Sequence, residues 1–285
     1  MEKRVFRRHQ LPHPFVTNNR LLQKACDEGI IIRLPHRWYG SPSITELERN
    51  AAQHGYLIGC CSAAKEWGLW VPETRYPHLI CRSRDSSARA TQLTIHRSLT
   101  SDGLLGIHPS PAKSPHIYST LVESLEHIVR YHHEETGLIV LESALNQRKI
   151  DMPTADKIIA GAQRHKQQVL RRRIRDAQSG SETRVRNYLH SLRVPVSAQV
   201  YVPTVGRIDL LVGRSLSIEC DSTAFHSKGL NVNEDRYRDA QQTLLGYKHI
   251  RLSYQQIWGD WENTKSYILT VLRTREHLLF PRPLL

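Results

Sequence analysis

Apolar positions recur along this chain with two different periods. Between residues 17 and 29, Leu21, Leu22 and Ala25 fall at helical spacing, with Thr17 or Asn18 available as a cap and Gly29 as a terminator, so a helix is expected. The period then shortens. Residues 30–34 form a β-branched run, and after Pro35 and His36 the segment Arg37-Trp38-Tyr39-Gly40 suits the second arm of a small hairpin. Helical periodicity returns over residues 118–145 and again over 154–177, where the end of the stretch is strongly basic. Beyond the turn-forming Ala177-Gln-Ser-Gly-Ser181, Ser181 can cap a helix starting at Glu182, with Val185, Tyr188, Leu189 and Leu192 on one face. Strand-like runs follow at 198–202, 207–212 and 216–221, the last two separated by a Gly213-Arg214 turn. Residues 233–248 predict a helix capped by Asn233 and ending near Gly246, and 248–252 predict a closing strand. A covering helix is expected over 258–273, with Trp258, Trp261, Tyr267, Ile268 and Leu272 directed to the core in preference to the alternative, stacking on bases.

A length of 285 residues suits two domains, and the composition shift at the linker divides them into 1–177 and 178–285. Alternating helices and short strands give an α/β chain, α+β when both parts are taken together. Helix followed by hairpin near the start is the outline of a winged helix. No apolar run approaches the roughly 20 residues that span a bilayer, and the first residues lack a secretion signal, so a cytoplasmic protein without membrane attachment is expected. The five cysteines form no C-x-x-C pair. Their odd number argues against a disulfide framework or a cysteine-based zinc site, leaving them as packing residues.

Charge points to a polyanion. The net charge is +13, and residues 1–175 hold 26 basic against 16 acidic residues, while 176–285 hold 14 against 11. Arg164, Lys166, Arg171, Arg172, Arg173 and Arg175 form a candidate phosphate-contacting arm beside the linker, although such a run also serves as a solvated helix face. DNA is the favoured partner, RNA the alternative, and a homodimer is left open.

The second half keeps its acids inside strands. Asp209 is the one acid among Ile208, Leu210 and Leu211, and burying an unpaired carboxylate costs several kcal/mol. Glu219 and Asp221 occupy alternate positions of the next run, so both point to one face, and a hairpin through Gly213-Arg214 brings Asp209 across from them. Gathered carboxylates repel one another, and a hard divalent ion with oxygen ligands, Mg²⁺ or Mn²⁺, resolves the repulsion. Asp235 and Asp239 share one helix face, as do Arg238 and Gln242. They form either an exposed ion-pair ladder or a group turned toward the acids. Arg251 lies opposite Ile250 and Leu252 on the closing strand, placed to offer a cation to DNA or to the acidic cluster.

The series Glu182, Ile208-Asp209, Ile218-Glu219-Cys220-Asp221, Phe225-His226, Glu234-Asp235-Arg236-Tyr237-Arg238-Asp239, Gly246-Tyr247 and Ile250-Arg251-Leu252 resembles a family allied to very-short-patch repair endonucleases. That resemblance covers about residues 180–275 and implies a PD-(D/E)XK nuclease, with a restriction-endonuclease-like mixed sheet flanked by helices. It implies Asp209 and Glu219 as metal ligands, the Cys220 carbonyl as a further ligand, and Glu182 acting through a water. Asp221 stands where the wider superfamily often has lysine. His226 is the candidate to fill that gap as general base or phosphate donor, with a structural contact as its alternative. The helix and hairpin of residues 17–40, together with Ser62-Ala-Ala-Lys-Glu-Trp-Gly-Leu69 and the 118–145 stretch, resemble the winged-helix module of AbiEi-type antitoxins and regulators. Together these imply a metal-dependent DNA endonuclease, with nicking of one strand as one mode of action; the competing expectation is a non-catalytic DNA-binding regulator or antitoxin-like protein on a degenerate nuclease fold.

Overall fold

The structure, a computed structural model, describes residues 4–81, 94–97, 115–221 and 232–281. The chain is α/β and divides into two compact units, Met1–Leu141 with Ile150–Arg171, and Glu142–Lys149 with Arg172–Leu285.

In the first unit, β1 (Val5–Arg7), α1 (Asn19–Asp27), β2 (Ile32–Leu34) and β3 (Trp38–Gly40) form a helix with an antiparallel sheet in the order β1-β3-β2. The Asn18 side chain starts α1 by accepting from the N–H groups of Arg20 and Leu21, and Leu22 and Ala25 are buried as their spacing requires. β2 and β3 are the expected hairpin, with Leu34 opposite Trp38. β1 was not legible in the sequence, because three residues carry too little alternation to register as a strand. It seals the sheet by bringing Arg7 over the buried Trp38 ring, 3.5 Å from its centroid.

Next come α2 (Glu46–His54), β4 (Leu57–Ile58), α3 (Cys60–Glu66), β5 (His78–Cys81) and β6 (Thr94–Arg97), with the three strands ordered β4-β5-β6 and β6 parallel to β5. The helical stretch 118–145 is two helices, α4 (Leu121–Tyr131) and α5 (Glu134–Asn146), because His132 adopts an extended backbone between them. The stretch 154–177 is likewise not continuous. α6 (Met152–Ala160), capped by Asp151, stops at Gly161, and α7 (Arg164–Leu170) is a separate short helix.

This break corrects the reading of one basic residue. Lys166 is buried, and its ammonium donates to the carbonyls of Arg130 and His132 at 3.0 and 2.6 Å. It neutralises the carbonyl end of α4 and is not presented to a phosphate. Lys166→Met is expected to lower stability by about 1–3 kcal/mol, since two partly buried carbonyls lose a charged donor. Urea unfolding at neutral pH measures this, and a loss below a few tenths of a kcal/mol would contradict it.

The second unit opens with α8 (Gly180–Ser191). Its cap is Ser179, whose hydroxyl accepts from the Glu182 N–H at 3.1 Å, and not Ser181 as the sequence suggested. Ser181 lies within the helix and accepts from the Trp258 indole instead. The sheet comprises β7 (Val196–Val202), β8 (Gly206–Val212), β9 (Leu216–Cys220) and, after α9 (Val232–Leu244), β10 (Lys248–Leu252). Its order is β10-β9-β8-β7, with β7, β8 and β9 antiparallel in turn and β10 parallel to β9. Gly213 makes the β8–β9 turn with φ 61°, where an added Cβ would lie 2.4 Å from the His277 carbonyl oxygen.

One face of this sheet, carrying Leu210, Val212, Leu216, Ile218, Ile250 and Leu252, packs against α8, α10 (Tyr254–Gly259) and α11 (Trp261–Arg273). The single covering helix expected over 258–273 is therefore two, and Tyr267 is exposed, unlike Ile268 and Leu272. The opposite face carries the acidic and basic residues and meets α9 through ion pairs, with Leu211 in an apolar cluster that includes Leu245 and Tyr247. Among the described residues no helix is long and apolar enough to cross a membrane.

Candidate active site

Strand alternation separates the two faces of the acidic centre. In β8, Ile208, Leu210 and Val212 are buried while Asp209 is half-buried on the other side. In β9, Glu219 stands alone as half-buried among buried neighbours. Leu210 pairs with Ile218, and Asp209 and Glu219 each lie one residue further along, so the two carboxyls face the same side at the end of the ladder. The Asp209 charge acts directly on the Glu219 carboxyl. Asp209 also accepts from the Cys220 N–H at 3.0 Å, which ties the start of the acidic segment to the neighbouring strand. The Cys220 thiol is buried on the core side, so this residue offers the site its backbone only.

Glu182 reaches the same group from α8. A residue outside the sequence-based candidates makes the connection: the Gln199 side-chain N–H₂ donates to Glu182 at 2.7 Å and to Asp209 at 3.2 Å. Gln199 has φ 54°, a conformation that costs a non-glycine residue about 1–3 kcal/mol. It interrupts the β7–β8 ladder between the pairs Ala198–Leu210 and Val200–Ile208, opposite Asp209. No local pattern signals this role, because Gln199 meets Asp209 only once the strand register is known.

Charge is concentrated here without full compensation. Burial, then the neighbouring Asp209, raises the Glu182 carboxyl to about 7. Burial and Asp209 raise Glu219 to about 8, although Arg238 and Arg251 pull it the other way. The Arg238 guanidinium approaches Glu219 at 3.5 Å and donates to the carbonyls of Val205 and Arg207. Arg251 pairs in register with Glu219 on β10 and donates to Asp239 at 3.0 Å, and Asp239 also lies 3.4 Å from His249. Asp239 thus anchors the cationic edge of the site.

Asp221 is half-buried beyond β9 and donates its N–H to the Leu252 carbonyl. His226 lies outside the described residues, as does the side chain of Asp235, whose backbone belongs to α9. Of the basic arm, Arg164, Arg171 and Arg175 are exposed, while Arg172 and Arg173 are half-buried and Arg172 donates to Asn187.

Asp209 and Glu219 fit a hard cation by donor type, since Mg²⁺ uses one or two carboxylates and keeps several waters. They do not form a closed cage: among the described residues, the one group of three or more His, Cys, Asp or Glu side chains tight enough to share an ion lies in the first unit. The chain matches no family model and no curated protein, so a functional reading rests on the chemistry of these residues.

Proposed function

We propose that the second unit is a metal-dependent endonuclease of the PD-(D/E)XK type acting on DNA. The observation that carries this reading is the placement of Asp209 and Glu219 side by side on one face of adjacent strands, with Glu182 joined to Asp209 through Gln199. Such a set is unfavourable for the isolated fold and becomes favourable once a divalent ion supplies the missing positive charge.

Asp209 and Glu219 would hold Mg²⁺ or Mn²⁺, with the Cys220 carbonyl as a further oxygen donor. A bound ion of this kind lowers the pKa of water and offsets charge on a phosphodiester. Gln199 holds the Asp209 and Glu182 carboxyls in fixed orientation. Glu182, near 7, can accept a proton from a water and release it within the neutral range. Arg251 and Arg238 supply positive charge beside Glu219, which bears on the position where the superfamily this segment resembles often has lysine and this chain has Asp221. The exposed Arg164, Arg171 and Arg175, with the overall charge of +13, favour a polyanionic substrate.

A second reading has its own support. Arg238 already engages Glu219, and an arginine in that position can replace a metal in a fold that binds DNA without cutting it. Cleavage of supercoiled plasmid, single-stranded DNA and RNA, with Mg²⁺, Mn²⁺ or chelator, separates the two. Nuclease activity is expected only with metal, with about a hundredfold or greater loss in Asp209→Ala. If cutting by the wild type never exceeds that variant's, while DNA affinity persists in chelator and falls steeply with salt, the non-catalytic reading stands.

A further inference from the structure

Four side chains distant in sequence converge in the first unit. Cys60 begins α3, His78 begins β5, His96 lies on β6, and His132 follows α4. One ligand atom from each lies within 4.8 Å of all the others. The contacts that define the group are Cys60 Sγ to His132 Nε2 at 3.0 Å and His78 Nδ1 to His96 Nε2 at 2.9 Å. Cys60 and His78 are buried, and His96 and His132 half-buried.

Hydrogen bonding accounts for each of these two contacts but not for their convergence. A thiol–imidazole pair and an imidazole–imidazole pair would be satisfied anywhere in the interior, whereas here both pairs point into one small volume. A neutral imidazole offers one ring nitrogen with a lone pair, the donor a metal needs. The supporting contacts fix the donors from outside. Gly59 N–H donates to the His78 carbonyl, and His78 N–H donates to Ser62 Oγ at 2.8 Å, locking the start of α3 to β5. Lys166 grips the His132 carbonyl, and Tyr131 stacks on His96 with 4.8 Å between ring centroids. Cys60 itself has φ 54°, a strained conformation that surrounding structure must hold in place.

We propose that Cys60, His78, His96 and His132 form a tetrahedral site for a borderline divalent transition metal, zinc above all. The donors are one sulfur and three imidazole nitrogens, a set suited to Zn²⁺ and unsuited to Mg²⁺ or Ca²⁺. Donor separations in a tetrahedral zinc site are about 3.4–3.6 Å, calculated from ordinary Zn–N and Zn–S lengths, which lies between the shortest and longest separations here. Four protein ligands close the coordination sphere, so the metal is structural, clamping α3 and α4 to the β5–β6 edge. This site is independent of the acidic residues of the second unit.

The test uses the full chain carrying Asp209→Ala and Glu219→Ala, which removes the two carboxylate ligands proposed for the second unit. One zinc per chain is expected by elemental analysis after purification. Replacement by Co²⁺ is expected to give a sulfur-to-cobalt charge-transfer band with the intense visible bands of tetrahedral cobalt. Cys60→Ser should abolish the charge-transfer band, and His78→Ala or His132→Ala should weaken metal affinity by more than about 100-fold, beyond the effect of losing a supporting partner. Cys61→Ser, whose sulfur lies 3.7 Å from His132 Nε2, should leave the band in place. Absence of stoichiometric metal, a cobalt spectrum without sulfur charge transfer, or a band lost with Cys61 and kept without Cys60 would each overturn the assignment. The cobalt spectrum of the parent chain decides the matter even where a ligand variant fails to fold.

Discussion

Glu219→Gln is expected to remove metal-dependent cleavage while stabilising the metal-free protein above neutral pH. Burial and Asp209 raise Glu219 to about 8 from an ordinary value of 4.5. Between those two pH values the folded state therefore holds a proton that the unfolded chain has released, and stability falls as pH rises. The penalty is absent below about 4.5 and complete above about 8. Its ceiling is about 5 kcal/mol at 1.36 kcal/mol per pH unit, and relaxation of a partly solvated carboxylate beside Arg238 leaves about 1–3 kcal/mol. Glutamine keeps the shape without the charge, so the variant avoids this loss. Thermal or urea unfolding with chelator at pH 5 and pH 8 should show the variant gaining on the wild type at pH 8, and Glu182, raised to about 7, steepens the same trend in both proteins. In the cleavage assay the same substitution is expected to cost about a hundredfold or more. A variant that is less stable than wild type at pH 8 by as much as at pH 5 would show that Glu219 is a structural acid. Gain of stability with loss of activity is the behaviour of a residue kept for function.

The other large effect concerns stability alone. Glu142→Ala is expected to destabilise the second unit by about 3–5 kcal/mol. Glu142 and Arg186 have side chains only 1% and 2% exposed and form an ion pair. Glu142 also accepts from Thr183 Oγ1 at 2.6 Å and from the Ile174 N–H at 2.8 Å. Arg186 Nε and Nη1 make no hydrogen bond among the described residues, so removing Glu142 leaves a buried guanidinium without its counter-charge. Burial by itself pushes the Glu142 carboxyl up, and Arg186 acts against that. A paired replacement, Glu142→Leu with Arg186→Met, removes both charges and should restore most of the loss. Urea denaturation of Glu142→Leu, Arg186→Met and the double variant gives the coupling. A cost below about 1 kcal/mol for Glu142→Ala, or a double variant as unstable as the singles, would show that the pair does not act as a buried charge couple.

Several features of this protein are local in origin and were legible in order along the chain. Asn18 caps α1 and Gly246 closes α9, because capping depends on residues within one turn. Asp209 and Glu219 fall on the polar side of β8 and β9 because strand alternation has period two, and their burial class follows that pattern. Arg251 likewise lies opposite Ile250 and Leu252. Where local signals competed, tertiary packing chose between them. Ser179 and Ser181 are both competent caps, and the indole of Trp258 takes the second. Lys166 reads as one more cation in a basic run, yet the carbonyl end of α4 lies within reach of its ammonium.

Residue identity and spacing by themselves determined the α/β class, the strands bearing Asp209 and Glu219, and the concentration of positive charge in the first 175 residues. Only the tertiary structure decided that Gln199 would bridge Glu182 and Asp209, and that Cys60, His78, His96 and His132, spread over more than seventy residues, would meet in one small volume. The physical reason is the range of the interactions involved. Helical and strand periodicity are written within a few neighbouring residues, whereas strand register and helix packing are set by the burial of whole faces. A cysteine without a C-x-x-C partner therefore read as a packing residue, and it took the pairing of β5 with β6 beside α3 and α4 to surround it with three imidazoles.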